Sequence, residues 1–434
     1  MSPTMTLLDP LALRRLGRRV LGAAALALGL AACSTVPTAP PDDAAGREAL
    51  LATVWSTLGE RHVDPPPPAW PQAMARHRAA VLAAPPLAQD PDALWQALDG
   101  LAAEWRDAHT RVEGPRDLAR VQRHEVVGPG FGLLPVAGQW VATAVRPDSA
   151  AHAAGLRDGM ALLSWQGESP QTVWARLSQQ SRTSSTPQAT EQLALRRWLH
   201  GASGGRVDTV WARPDAGPLS ISVEQQVWTR PPHWSVQRLP SGVTVLRWSH
   251  FAPELEAGLT AAIGQLGQQG PDVRGLVLDL RGNGGGNFDM TQRLAAALLP
   301  ARAEGAIVGR KGEPGASTVL HGRGLYNGPV AVLQDHGSAS GSELLARTLQ
   351  ALGRARVVGQ VSCGCLLSIT RYLPLGPQAR LAVSERHIRW ADGRVEGVGV
   401  QPDLPVERSL AAVQAGRDEV LEAAERWLLQ APRP

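Results

Sequence analysis

The chain has 434 residues, too many for one small domain and suited to two or three. Hydrophobic residues make up 44% and charged residues 19%, a globular composition that excludes a disordered chain, while 45 Gly and 35 Pro argue against an all-helical bundle. The formal net charge is +4, and most of it comes from Arg14, Arg15, Arg18 and Arg19 set against Asp9, so it gives no reason to invoke nucleic acid. Lys311 is the single lysine, so a mechanism built on a lysine base must use it or be dropped.

The chain opens on a targeting segment. Residues 13–19 are basic, and residues 20–30 are an apolar run of 11 residues. Spanning a bilayer takes about 20 residues, so this run reads as the core of a signal peptide. It ends in Leu30-Ala31-Ala32-Cys33, which resembles a bacterial lipobox. The resemblance implies a signal peptide over 1–32, lipidation of Cys33, and membrane contact through that anchor. Ser34 stands where an Asp would signal inner-membrane retention, which implies an outer-membrane lipoprotein facing the periplasm. Residues 33–45 read as a linker, rich in Pro, Ala, Ser and Thr. No later run is long enough for a transmembrane helix.

Residues 46–118 predict a helical domain. Leu50, Val54 and Leu58 share one face, as do Leu94, Leu98, Leu101 and Trp105, and Pro65 to Pro68 interrupt the pattern. Residues 119–232 mix strand-like stretches with turns. Residues 233–408 alternate: strands near 243–248, 275–280, 329–333 and 356–359, with helices near 254–266, 288–299 and 341–352. Such alternation predicts a sheet covered by crossover helices. Residues 409–434 predict one amphipathic helix over 409–430. The fold class is α/β multidomain.

Within the middle region, Gly130-Phe131-Gly132-Leu133 precedes Pro147-Asp148-Ser149-Ala150 and the later Ala154-Gly155-Leu156-Arg157-Asp158-Gly159. This resembles a PDZ domain of the bacterial protease-associated kind. The resemblance implies a β-rich domain in which Gly130, Phe131, Gly132 and Leu133 offer backbone groups and a strand edge to a peptide.

Two motifs in the C-terminal half carry chemistry. Leu278-Asp279-Leu280-Arg281-Gly282-Asn283-Gly284-Gly285-Gly286 is a buried strand running into glycines, where backbone can approach a ligand closely. It is no phosphate loop, since no Gly-Lys-Ser/Thr follows. Ser338-Ala339-Ser340-Gly341-Ser342-Glu343 places Ser340 at a strand-to-helix turn. Ser340 and Glu343 fit a capping box. A serine there is also placed as a nucleophile, with the helix N-terminus and the Gly341 N–H favouring an anion.

Together these motifs, with the late Gly397-Val398-Gly399-Val400-Gln401-Pro402-Asp403, resemble the carboxy-terminal-processing (tail-specific) serine peptidase family. The resemblance implies a crotonase-like β/α core, a serine endopeptidase acting on peptides or protein tails, and no metal or organic cofactor. It makes Ser340 the nucleophile and Gly341, with Gly284 or Gly285, the oxyanion hole. Most members carry a lysine base about 25 residues later, but this chain has Ser362-Cys363-Gly364-Cys365-Leu366 there. Lys311 lies before the nucleophile strand. Cys363 and Cys365 read as buried thiols, or as a pair closing a strained ring.

A tricorn-like branch of the family instead uses a histidine with a supporting glutamate. Asp107-Ala108-His109-Thr110 and Glu396 match its pattern, implying His109 as base and Glu396 as its partner. His336 is a rival base, and Glu385 and Asp392 are rival carboxylates. A Glu396 carboxylate would raise the His109 pKa and set an acid limb at about pH 6–8. The alternative function is a catalytically inactive PDZ-containing peptide-binding scaffold; a crotonase-like enzyme acting on acyl thioesters is a third.

Overall fold

The computed structural model describes residues 42–432 except 202, 214 and 215. The signal segment 1–32 and the lipidation site Cys33 lie outside the described residues, as does most of the 33–45 linker; helix Ala44–Arg61 starts within its last two positions. Among the described residues no helix is long and apolar enough to cross a membrane.

The centre is a six-stranded sheet in the order Leu404–Pro405, Arg356–Gly359, Val330–Gln334, Gly275–Asp279, Val243–Trp248, Trp234–Arg238. All neighbours are parallel except the last pair. Its inner strands are apolar throughout because both faces are covered. Leu246, Leu278 and Val332 meet Leu259, Ile263, Leu294 and Leu345 of helices Pro253–Gln268, Phe288–Leu298 and Gly341–Ala351. The alternate residues Val245, Val277, Ala331 and Val358 meet Val420, Ala424 and Leu428 of helix Glu419–Gln430.

The expected single helix over 409–430 is two helices, Leu410–Gln414 and Glu419–Gln430. Gly416, at φ 69°, turns the chain between them, a backbone region that favours glycine. Leu410 and Val413 pack on Val136, Val141 and Ala161 of the middle region, while the longer helix covers the sheet.

A second sheet is built on strand Ala379–Trp390, flanked by Leu367–Gly376, Ala303–Arg310 and Arg111–Glu113. The stretch 46–118 is therefore not wholly helical. Its helices Ala44–Arg61, Trp70–Ala83 and Ala93–Ala102 bury Leu51, Leu58, Leu94 and Leu98 against Leu381 and Val383, and the strand Arg111–Glu113 completes the sheet edge. Three residues are too few to show a strand period in sequence.

The middle region is closed off by strands Glu125–Gly128 and Gln226–Thr229, which pair antiparallel. Inside lie the hairpin Gly132–Val136/Gln139–Thr143, the three strands Leu162–Trp165, Arg206–Arg213 and Ala216–Glu224, and helices Pro170–Gln180 and Pro187–Leu199. Its core is aromatic, with Phe131, Trp140, Trp165, Trp198 and Trp211 in edge-on contacts.

Candidate active site

Ser340 sits between strand Val330–Gln334 and helix Gly341–Ala351. Its backbone has φ 54°, a left-handed conformation costing a non-glycine residue about 1–3 kcal/mol. A serine at a sharp strand-to-helix turn presents its hydroxyl outward. Only half of the capping box forms: the Ser340 N–H donates to Glu343 Oε2 at 2.9 Å, while the Ser340 hydroxyl makes no cap bond. That hydroxyl lies 3.1 Å from His109 Nε2 instead.

Glu343 is a buried hub. Besides Ser340 N–H it accepts from Ser362 Oγ (2.5 Å), Gly364 N–H (2.7 Å) and Cys365 N–H (3.0 Å). Burial pushes its carboxyl up to about 7 despite these four donors. It thereby ties the Ser340 turn to the Cys363-Gly364-Cys365 loop. Cys363 and Cys365 are joined as a disulfide, not free thiols, and both line the cavity that holds Ser340.

His109 is held from behind. The turn after helix Ala93–Ala102 passes through Arg106 in the left-handed region before reaching it, so His109 is not at a helix C-terminus. Asp107 Oδ1 accepts from the His109 N–H (2.8 Å), the Thr110 N–H (2.8 Å) and Ser384 Oγ (2.8 Å). Asp107 Oδ2 lies 3.1 Å from Nε2 of the buried His62, whose ring stacks on Trp105 at 3.9 Å. Asp107 is buried, but the His62 and Thr110 contacts hold its carboxyl well below the usual range. Burial drives the His109 imidazole down to about 4; the nearby Asp107 charge opposes this and Arg111 adds to it. The expected upward shift of His109 is therefore corrected, because burial outweighs the charge nearby.

Glu396 is buried and close, yet it makes no hydrogen bond to His109 among the described residues; His109 Nδ1 has no partner. Glu396 Oε2 accepts from the Leu366 N–H at 2.5 Å, and the Ser185 side chain near its carboxyl favours the anion. Ser185 Oγ in turn accepts the Ala108 N–H at 3.1 Å, so the contact to the histidine turn is indirect. Burial, then the Asp107 and Glu343 charges, push Glu396 up to about 8. The rival carboxylates lie elsewhere: Glu385 pairs with Arg61 and Asp392 with Arg347. His336 lines the cavity without a bond to Ser340, and Lys311 Nζ donates to the Gly59 carbonyl at 3.0 Å on the exterior.

Gly341, Gly284 and Gly286 line the cavity beside Ser340. Gly285 does not serve as expected: its N–H is spent on Asn283 Oδ1 at 2.9 Å. Its need is spatial, since a Cβ there would lie 2.5 Å from the Gly341 nitrogen and 2.7 Å from Ser340 Cβ. The Gly286 N–H has no partner among the described residues, a donor the sequence reading missed. Of the peptide-docking residues, Phe131 and Leu133 are buried in the middle-region core, and none of Gly130, Phe131, Gly132 and Leu133 lines this cavity. Strand Gly132–Val136 pairs only with Gln139–Thr143, leaving its other edge open.

The cavity measures about 1300 Å³. Among the described residues no group of three or more His, Cys, Asp or Glu side chains could hold a metal. Asp107, His62, Ser185 and the hub role of Glu343 were not assigned from sequence. Asp107 lies inside the Asp-x-His-Thr pattern, which was the signal available for it.

Residues 242–406 match peptidase family S41. Over 195 residues the chain is 31% identical to a carboxy-terminal-processing protease of Bartonella bacilliformis, covering 43% of this chain and 44% of that protein. It is 32% identical over 186 residues to one from Synechocystis, covering 42% and 43%. The matched stretch thus spans under half the length of these two relatives. Among solved structures, the photosystem II D1 C-terminal processing protease superposes with TM-score 0.51 at 22% identity, covering 88% of this chain and 97% of that one. Mature CPAF gives TM-score 0.62 at 13% identity, covering 89% and 97%. These two likenesses establish the mixed α/β fold. Residues 242–406 are thus similar to peptidase family S41 and to the carboxy-terminal-processing proteases, and the similarity supports a peptidase.

Proposed function

We propose that the chain is a serine endopeptidase acting on peptides or protein tails, with Ser340 as nucleophile and His109 as general base. The observation that carries this is the 3.1 Å contact between His109 Nε2 and Ser340 Oγ inside the large cavity. Neutral His109 takes the Ser340 proton as Oγ attacks a peptide carbonyl, then returns it to the leaving amine. Water repeats the cycle to release the acyl group. The developing oxyanion sits at the N-terminus of helix Gly341–Ala351, facing the Gly341 N–H with Gly284 or Gly286 beside it.

Asp107 and Glu396 are positioning residues in this reading. Asp107 fixes the histidine turn and supplies the negative charge nearest the imidazolium. Glu396 acts through Ser185 on the same turn. The open edge of Gly132–Val136, with the left-handed turn at Gly130, fits the PDZ-like peptide-docking role of the middle region. The division into a 46–118 helical part, a 119–232 PDZ-like part and a 233–408 peptidase core is supported by the separate aromatic cluster of the middle region, although the first part shares its cluster with Leu375, Leu381 and Val383 and its strand Arg111–Glu113 joins the second sheet. The lipobox resemblance at Cys33 supports an outer-membrane lipoprotein facing the periplasm. Retention of the Cys33→Ser variant in outer-membrane fractions would sink that part.

The test of the activity is labelling by an active-site serine probe. A peptidase labels the parent and fails on Ser340→Ala, with labelling much slowed in His109→Ala. A scaffold without catalysis labels in none of them.

A further inference from the structure

Helix Pro187–Leu199 of the middle region reaches into the catalytic cavity with Gln192, Leu193 and Arg196. Positions i and i+4 share a helix face, and the opposite side buries Ala194 and Trp198. Arg182, just ahead of this helix, lines the same space, as do Arg111 and Arg371 of the second sheet. Against four guanidiniums the described lining offers one carboxylate, Asp289.

The four are not equally compensated. Arg111 Nε donates to Glu113 at 2.7 Å, and its Nη1 donates to the His109 carbonyl at 2.9 Å. Arg182 reaches Asp99 only at 3.5 Å. Arg196 has no hydrogen-bond or ion-pair partner among the described residues, and burial, then Arg182 and Arg111, push its guanidinium down. Like charges gathered in a partly desolvated space cost free energy that an entering anion relieves. Guanidinium is also the side chain whose planar fork suits a carboxylate best.

We propose that Arg182 and Arg196 form a subsite for a carboxylate of the peptide substrate, within the cavity that holds Ser340. The proposal rests on the peptidase reading above and adds its substrate preference. The carboxylate belongs either to an Asp or Glu side chain or to a free peptide C-terminus.

Binding to the Ser340→Ala protein tests this without turnover. The probes are fluorescent peptides of one neutral sequence with Glu scanned against Gln, each as free acid and as C-terminal amide, read by anisotropy. We expect a gain of about 10-fold for Glu over Gln at one position, between the values for exposed and buried ion pairs, and weakening in salt. Arg196→Gln and Arg182→Gln, each added to Ser340→Ala, should bring that ratio close to one. Arg196→Lys, which keeps the charge, should retain part of it, and Arg196→Glu should favour Lys-bearing peptides. If amidation rather than Glu-to-Gln exchange removes the gain, the carboxylate is the peptide C-terminus. No binding, equal binding of all probes, or a preference that survives both Gln variants overturns the subsite. An acidic preference in binding, with no peptide hydrolysed by the parent, would leave the subsite standing and defeat the peptidase reading.

Discussion

Two buried carboxylates stand behind the pair proposed to react, Glu343 under Ser340 and Asp107 under His109. Each accepts four hydrogen bonds, yet Asp107 is held well below the usual carboxylate range and Glu343 is pushed up to about 7. The number of donors does not separate them. Glu343 receives three backbone N–H groups and a serine hydroxyl, all neutral. Asp107 receives two N–H groups, a serine hydroxyl and an imidazole that can carry charge. Within a buried site an ionisable partner favours the anion in a way neutral dipoles need not match. The Ser340 turn is thus organised by a carboxyl pushed up to about 7, and the His109 turn by one held well below the usual range.

The largest expected effect comes from cutting where the two turns meet. Ser340→Ala and His109→Ala should each lower kcat/KM by about 10²–10⁴-fold or more, the contribution of a nucleophile or a positioned base. Near-parent turnover in either variant would break the comparison at its root.

Next come the carboxylates. Asp107→Asn can keep its oxygen on the His109 and Thr110 N–H groups, but its NH2 then faces the Nε2–H of His62, whose Nδ1 accepts the Asp64 N–H, so it removes the charge and that one hydrogen bond. We expect about a 10-fold loss of kcat/KM, one pKa unit or so of lost imidazolium stabilisation. Asp107→Ala, which also frees the turn, should lose about 100-fold. Glu343→Gln should lose only a few-fold at pH 7, because the residue is already near half-protonated; its NH2, placed on the Ser362 side, gives up the Gly364 N–H bond and so costs stability more than rate. A larger loss from Glu343→Gln than from Asp107→Asn would reverse the assignment of charge.

The pH dependences sharpen the same point. His109 must be neutral to act as base, and its pKa is lowered to about 4. The rate should therefore hold as pH falls to 5 and drop through about 4, with Asp107→Asn moving that limb lower still. A parent limb at pH 6–8 would mean that burial does not dominate. For stability the two carboxylates act in opposite senses. Glu343 has a folded pKa above its ordinary value of 4.5, so its contribution is present below that value and is lost as pH rises through about 7. Asp107 has a depressed folded pKa, so its contribution is present above 3.8 and lost as pH falls. Melting temperatures from acid to alkaline pH should show the parent losing ground to Glu343→Gln between pH 4.5 and 7, and to Asp107→Asn only in acid. A flat difference for either pair would contradict the stated charge states.

The smallest effects are expected at Glu396 and Lys311. Glu396 is pushed up to about 8, so Glu396→Gln replaces a mostly protonated carboxyl at pH 7 and should change kcat/KM by no more than about 3-fold. Lys311→Ala removes an exterior contact to Gly59 and should leave the rate unchanged. A loss of 100-fold from Glu396→Gln, far outside this range, would show a direct carboxylate role for it.

What the sequence determined by itself is local. The apolar runs at Val243–Trp248, Gly275–Asp279 and Val330–Gln334 can be satisfied only as strands covered on both faces, so the layered core was readable from pattern. The strand-to-helix turn around Ser340 was readable for the same reason, since turn residues and a capping pattern occur within a few positions. Tertiary structure decided everything that depends on distant residues meeting. His109 and Ser340 are 231 positions apart, and the joining of Arg111–Glu113 to Ala379–Trp390 helps fix the His109 turn in place. Asp107 gained its role from His62 and Ser384, Glu343 from the Cys363–Cys365 loop, and the arginine face of Pro187–Leu199 from a cavity shared between regions. Protonation was the least legible property, because a pKa follows from burial and neighbouring charge, and neither exists until the chain has folded.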